Sequence, residues 1–300
     1  SDYFKWYKNN TDKKWRTLFL KKASIVMVTL LVLGLIAGSV LSGCAPAATS
    51  RVKVVTTTSL LTYVAEQVGG DKVEVVNVIP PTQHPGDFDA KPGDIQKLAE
   101  ASLFLWHNFP GEVFVPGLIS SANHTGLTVA AIDIKGNWMT PQVQREAADK
   151  IAAALSQADS QNSAAYQQAA AAYKGRVTAK ETELKAKLAP ANLTNINVIG
   201  SFWQAGFIGW AGMKVVATYV DPVSLTPAVS KDLVDKGKAA KVTLVIDNLQ
   251  NGQNAGKSIA EELGAKRIIL SNFPGGFANT ETWEKAIDRN IELILGAVSR

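Results

Sequence analysis

The chain has 300 residues, 46% of them apolar and 19% charged, with 31 basic and 26 acidic side chains and a formal net charge of +5. Residues 1–50 hold seven basic side chains and two acidic ones, so the remaining 24 and 24 cancel; a neutral body argues against a nucleic-acid-binding surface. A single cysteine, Cys44, excludes an intrachain disulfide and a cysteine-rich zinc module, three histidines leave little material for a multi-histidine metal site, and the length favours two domains.

Residues 23–43 (ASIVMVTLLVLGLIAGSVLSG) carry no charge and follow Lys21-Lys22 and a wider basic stretch. A basic flank, an apolar run and small residues at its end describe an export signal over residues 1–44. The run closes on Leu41-Ser42-Gly43-Cys44, which resembles the lipobox of bacterial lipoproteins. That resemblance implies a lipid on Cys44, with residues 45–50 as a short tether. A transmembrane anchor is the other reading, since twenty-one uncharged, mostly apolar residues can span a bilayer core. Either version places residues 51–300 outside the cytoplasmic membrane, on the periplasmic side or the cell surface. A cytosolic enzyme is disfavoured.

Beyond the tether, strands and helices alternate. Val52–Thr56 is a β-branched run suited to a buried strand, and Ser59–Val68 reads as a helix closed by Gly69-Gly70. Strands are expected over Val73–Ile79, Ser102–Trp106 and Leu127–Ile132, with a helix over Asp94–Glu100. Residues 141–188 are rich in Ala, Gln, Lys and Glu and break once near Asp159-Ser160; two helices follow, the second over about 162–188 and long enough to bridge two domains. The alternation then resumes. Strands are expected over Asn195–Ile199, Lys214–Tyr219, Val242–Ile246 and Arg267–Leu270. Helices are expected over Trp203–Trp210, Pro227–Ala239 with Thr226 as N-cap, Ala255–Leu263 and Thr280–Val298. The pattern predicts an α/β protein of two parallel-sheet lobes, 51–140 and 189–300, joined by the helical segment 141–188.

Three stretches carry a family resemblance. VVTTTSLLTYVAEQVGGDKVEVVNVIPP looks like the first strand, helix and strand of the TroA-like zinc and manganese receptors of bacterial ABC importers. DFDAKPGDIQKLAEASLFLWHN resembles that family's HxYEPTPxDIxxLxxADLxxxNG, through Phe88, Pro92, Asp94, Ile95 and Leu98. NWMTPQ resembles HxWLDP, through Trp138 and Pro141. The resemblance implies a rigid helix between the lobes, a ligand cleft between them, and an ABC permease with its ATPase as partners. It also implies zinc or manganese as cargo, with no organic cofactor. Its metal ligands, however, fall on Gly86, Gly136, Ser201 and Ser271 or Asn272, none a strong donor to zinc.

Two kinds of site remain open. A rearranged metal site would draw on His84, two residues before Gly86, on His107 after the third strand and on Asp247 after VTLVI. An organic or chelated ligand would use aromatics near the strand ends, with amides beside them: Trp106, Phe109, Trp138, Phe202, Trp203, Phe207, Trp210 and Phe273, with Gln204, Asn248, Gln250, Asn251 and Asn272. The function expected is a lipid-anchored solute-binding protein; the alternative is a receptor-like structural or adhesive surface subunit. No Ser-His-Asp or G-x-S-x-G arrangement points to an enzyme.

Overall fold

The structure, a computed structural model, describes residues 51–299. The export signal, Cys44 and the tether lie outside the described residues.

Eight strands form two all-parallel sheets. The first contains β1 (Val52–Thr56), β2 (Val73–Asn77), β3 (Leu103–Trp106) and β4 (Thr128–Ala131), in the order β2-β1-β3-β4. The second contains β5 (Asn197–Ser201), β6 (Lys214–Tyr219), β7 (Leu244–Asn248) and β8 (Lys266–Leu270), in the order β6-β5-β7-β8. The orders match, so the lobes share one topology. Parallel neighbours need long crossovers. These are supplied by α1 (Ser59–Gly69), α2 (Pro92–Ala99) and α3 (Val115–Ala122) in the first lobe, and by α6 (Phe202–Trp210), α7 (Pro227–Ala239) and α8 (Lys257–Leu263) in the second. Helix α7 begins as the sequence requires, with the Thr226 hydroxyl accepting from Val229 N and Pro227 in the first turn. The short α3 is the one helix that periodicity did not reveal.

Successive strand residues face opposite sides, and here they feed different cores. Val54, Leu103, Leu105, Val198, Leu244 and Ile246 enter one central core that runs through both lobes. Their neighbours Val55 and Phe104 enter a second core under α2 and α3, while Ile199 and Val245 enter a third under α7 and α8. The central core also takes in α4 (Pro141–Ala158), α5 (Ser163–Leu188) and α9 (Trp283–Val298), which contribute Ile151, Leu155, Tyr166, Tyr173, Val177, Trp283 and Ile287.

Helix α5 is 26 residues long, about 39 Å at 1.5 Å per residue. It touches both lobes. Arg176 donates to Gln67 of α1, and Lys180 pairs with Asp288 of α9 at 2.6 Å. Arg145 of α4 pairs with Glu181 of the same helix at 2.7 Å. The Trp283 indole of α9 donates to the Met139 carbonyl ahead of α4 at 3.0 Å, so the last helix is also tied to the first lobe's exit.

Candidate functional site

The C-terminal ends of the strands point toward the space between the lobes, where α/β proteins build ligand sites. A cavity of about 350 Å³ opens there. The first lobe supplies Leu60 after β1, His84 and Pro85 after β2, Phe109 after β3, and Gly136, Asn137 and Trp138 after β4. The second supplies Phe202 and Trp203 after β5, Asn248 and Gln250 at β7, and Asn272 and Phe273 after β8. Phe202 is half exposed; Trp138 and Phe273 are buried.

A carboxamide network joins the lobes at this cavity. Asn137 donates to the Trp203 carbonyl at 2.8 Å and to Asn272 Oδ1 at 3.1 Å, and accepts from Met139 N at 2.8 Å. Asn272 Nδ2 also donates to the Trp203 carbonyl, at 3.0 Å. Gln250 accepts from Asn272 N and donates to Ser271 Oγ and to the Pro81 carbonyl, the last across the cleft at 2.9 Å. Asn248 Oδ1 accepts from Gln250 N at 2.9 Å and Asn251 N at 2.8 Å, which leaves its buried Nδ2 without a partner. Close packing reinforces the seam: a Cβ on Gly206 would lie only 3.1 Å from Asn137 Cβ, and the Ser59 hydroxyl donates to the Pro274 carbonyl at 2.8 Å.

The three residues of the rearranged metal site do not converge. His84 lines the cavity; its Nδ1 accepts from Gly86 N at 3.1 Å and its ring lies 5.5 Å from that of Trp203. Burial holds its imidazole below the ordinary histidine range, against the opposing pull of Asp87 and Asp221. His107 is fully buried one layer away. It stacks on Phe109 at 4.2 Å, meets Trp138 edge-on at 4.3 Å, and shares a 2.6 Å hydrogen bond between Nε2 and Thr58 Oγ1. Burial pushes its pKa down to about 3. Beside it, the buried Glu112 accepts from the Thr57 hydroxyl, from His107 N at 3.0 Å and from Phe109 N at 3.2 Å; burial raises its carboxyl above the usual range despite these donors.

Asp247 faces away from the cavity. Strand parity sends Ile246 and Asn248 to the central side and Val245 and Asp247 to the other, where Tyr219, Arg267 and Gly256 N hold the carboxylate. Trp106 is likewise not a cleft residue: it shares parity with Phe104 and packs on the core beneath α2 and α3. Phe207 is buried core and Trp210 packs against it. Among the described residues, no three His, Cys, Asp or Glu side chains stand close enough to hold a metal ion.

The four positions where the resemblance puts ligands do not replace them. A Cβ on Gly86 would sit 3.0 Å from the His84 ring. Gly136 has φ +113°, a left-handed backbone that L side chains rarely adopt, and a Cβ there would lie 3.2 Å from Val143. Ser201 is buried with an unpartnered hydroxyl, and Ser271 Oγ donates to the Phe273 carbonyl. The donor set therefore does not fit a bare zinc or manganese ion. Asn137 is the polar lining residue absent from the sequence-based candidates, as are the apolar or small Leu60, Pro85, Gly111, Ala205 and Gly206. Its signal was present, between the left-handed glycine and the Trp of the NWMTPQ motif.

Comparison with known proteins agrees with this architecture. The family model described as "Zinc-uptake complex component A periplasmic" matches residues 54–297. The iron-binding protein YfeA of Yersinia pestis is 23% identical over 267 residues, 81% of this chain and 85% of YfeA. The metal ABC transporter substrate-binding lipoprotein FimA of Streptococcus parasanguinis is 29% identical over 110 residues, and the lipoprotein SsaB of Streptococcus sanguinis 25% over 160. The chain spans only 35% of FimA and 52% of SsaB. Among solved structures, a Mn-bound periplasmic metal-binding protein from Candidatus Liberibacter asiaticus superposes with a TM-score of 0.73 at 15% identity, over 83% of this chain and 100% of its own. The Ni²⁺ complex of FpvC from P. aeruginosa gives 0.71 at 21% identity, over 83% and 97%. These solved structures share the fold, and with a family model matching nearly the whole described body the chain belongs to the ZnuA family.

Proposed function

We propose that the protein is the extracytoplasmic solute receptor of an ABC importer whose cargo is an organic or chelated molecule. The observation that carries this is the composition of the cleft. Each position that would bear a metal ligand holds glycine, serine or asparagine, and the cavity is walled instead by aromatic rings and carboxamides. Imidazoles and carboxylates are what zinc and manganese need; flat apolar walls with a few fixed amides are what an organic ligand needs. The cavity also stands open at about 350 Å³ and is not filled by its own aromatics, which favours a receptor over a purely adhesive subunit.

In this reading Cys44 carries a lipid that holds the body outside the cytoplasmic membrane, and a permease with its ATPase receives the cargo. The ligand leaves unchanged. Ser59 and Ser271 spend their hydroxyls on the Pro274 and Phe273 carbonyls and pair with no histidine, which supports binding without catalysis.

Elemental analysis and native mass spectrometry of the full chain in lipid nanodiscs, purified without chelators, test the proposal. The expected result is a substoichiometric content of Zn, Mn, Fe and Ni and a released small organic molecule. One metal ion per chain, lost on His84→Ala, would overturn it.

A further inference from the structure

The His84 ring carries a narrower conclusion, which rests on the receptor reading above. We infer that His84 recognises the ligand as a hydrogen-bond donor through Nε2, to a carboxylate oxygen on a ring-bearing organic acid, and does not serve as a metal ligand.

The proton on the ring comes first. A neutral imidazole has one N–H and one lone pair. His84 Nδ1 accepts from Gly86 N at 3.1 Å, which puts the lone pair on Nδ1 and the proton on Nε2. Burial keeps the ring neutral at neutral pH. Glycine at position 86 permits this contact, since a Cβ there would lie 3.0 Å from both Nδ1 and Cε1 of the ring. A histidine that binds metal through one nitrogen donates its other N–H to an acceptor. Here the group facing Nδ1 is itself a donor. Zinc on Nε2 would move the proton to Nδ1 and set two N–H groups against each other.

Access comes next. His84 lines the cavity, and its Nδ1–Cε1 edge faces Gly86 and Gly111. Nε2, at the far tip of the ring, makes no hydrogen bond among the described residues. Unlike the indole nitrogens of Trp138 and Trp203, it is not enclosed. Of the three ring N–H groups in the lining, it alone is open to a ligand.

Charge gives the acceptor. The lining contains no Asp, Glu, Lys or Arg. A cation would meet the His84 N–H and the N-terminal end of α6, which has no side-chain cap and brings Phe202, Trp203, Ala205 and Gly206 to the wall. Both favour an anionic oxygen; the α6 end only adds to what His84 supplies. Charge-assisted hydrogen bonds are roughly twice as strong as neutral ones, so a carboxylate gains more here than a neutral carbonyl. Asp87 and Asp221 act on His84 in the opposite sense, but neither lines the cavity, and Asp221 Oδ1 is held by Ser224 N at 2.7 Å. His84 is only partly buried, so a carboxylate on it keeps some of its water. The rings of Phe109, Phe202, Trp203 and Phe273 make much of the remaining wall and suit a ring on the acid.

Long-range ¹H–¹⁵N spectra of the full chain in lipid nanodiscs, labelled with ¹⁵N-histidine, test the state of the ring. The chain has three histidines, and His84→Gln assigns the signal. His84 should show a protonated Nε2 and a bare Nδ1, unmoved by ZnCl₂. Isothermal titration of the same sample with phenylacetate and indole-3-acetate tests the ligand class, with phenylacetamide and phenethylamine as neutral and cationic controls. At least one acid should bind about ten-fold or more tightly than either control. His84→Met removes the N–H and should weaken that binding about ten-fold. His84→Gln places an amide N–H at similar reach and should restore most of it, which a merely structural role for the ring would not produce. A ring protonated on Nδ1, phenylacetamide binding as tightly as the acids, or no heat from either acid would each overturn the inference while leaving an organic receptor standing. One zinc ion per chain that shifts the His84 ring signals would overturn both readings.

Discussion

Lowering the pH from 7 to 5 should remove about 2 kcal/mol of stability through His107. Burial pushes this imidazole down to about 3, whereas an unfolded histidine titrates near 6.5. Between these values the folded chain holds fewer protons than the unfolded one. The contribution is therefore complete above about pH 6.5 and is lost as pH falls toward 3. At pH 5 the unfolded histidine is one and a half decades below its midpoint, which at about 1.4 kcal/mol per decade gives the figure stated. For a body of this size that is roughly 4–8 °C in Tm. Two other groups act in the same range. His84 is also shifted down by burial and adds to the loss, while Glu112 is shifted up, so its contribution grows as pH falls and opposes it. His107→Phe separates the contribution. It keeps the ring on Phe109 and against Trp138 but strands the Thr58 hydroxyl, costing about 1–3 kcal/mol at both pH values. Thermal melts of wild type and variant at pH 7 and 5 should show the wild type losing about 2 kcal/mol more. Equal losses within about 0.5 kcal/mol would show that His107 is not held neutral by burial.

Glu112→Ala should cost about 3–5 kcal/mol by urea denaturation, because the buried His107 N–H, the part-buried Phe109 N–H and the Thr57 hydroxyl lose their acceptor. Glu112→Gln keeps an acceptor in place and should cost less than half of that. Asn137→Ala breaks both donations across the lobes and should lower stability by about 1–3 kcal/mol in thermal melts. Gly136→Ala forces an L side chain into a left-handed backbone against Val143, and a loss of about 1–3 kcal/mol is expected by the same measurement.

Much of the architecture was legible because local chemistry and global fold agree. The β-branched runs of β1 and β6 and the Thr226-Pro227 start of α7 fall where the sequence places them. Helix α3 escaped notice because Pro116, Gly117, Ser120 and Ser121 are weak helix formers; only packing of Val115 and Leu118 into the core beneath it decides the matter. Strand ends were readable as cleft positions, but the side each residue faces was not. One residue of register separates Asn248 in the cavity from Asp247 on Arg267. His107 was misplaced for a different reason. Two of the groups that enclose it, Thr58 and Trp138, are distant in sequence, so no local pattern announces that the imidazole is enclosed.

The carboxamides that hold the lobes together are also walls of the cavity. Asn137 and Asn272 grip the Trp203 carbonyl while the Trp203 ring lines the space that a ligand would enter. For a ligand held in this cavity, specificity and lobe cohesion would therefore rest on the same few side chains. A substitution that reshapes the cavity from Asn137, Gln250 or Asn272 also loosens the seam. Substitutions meant to reshape the cavity without unfastening the lobes belong at positions off the network, such as Leu60, Phe109 and Phe202.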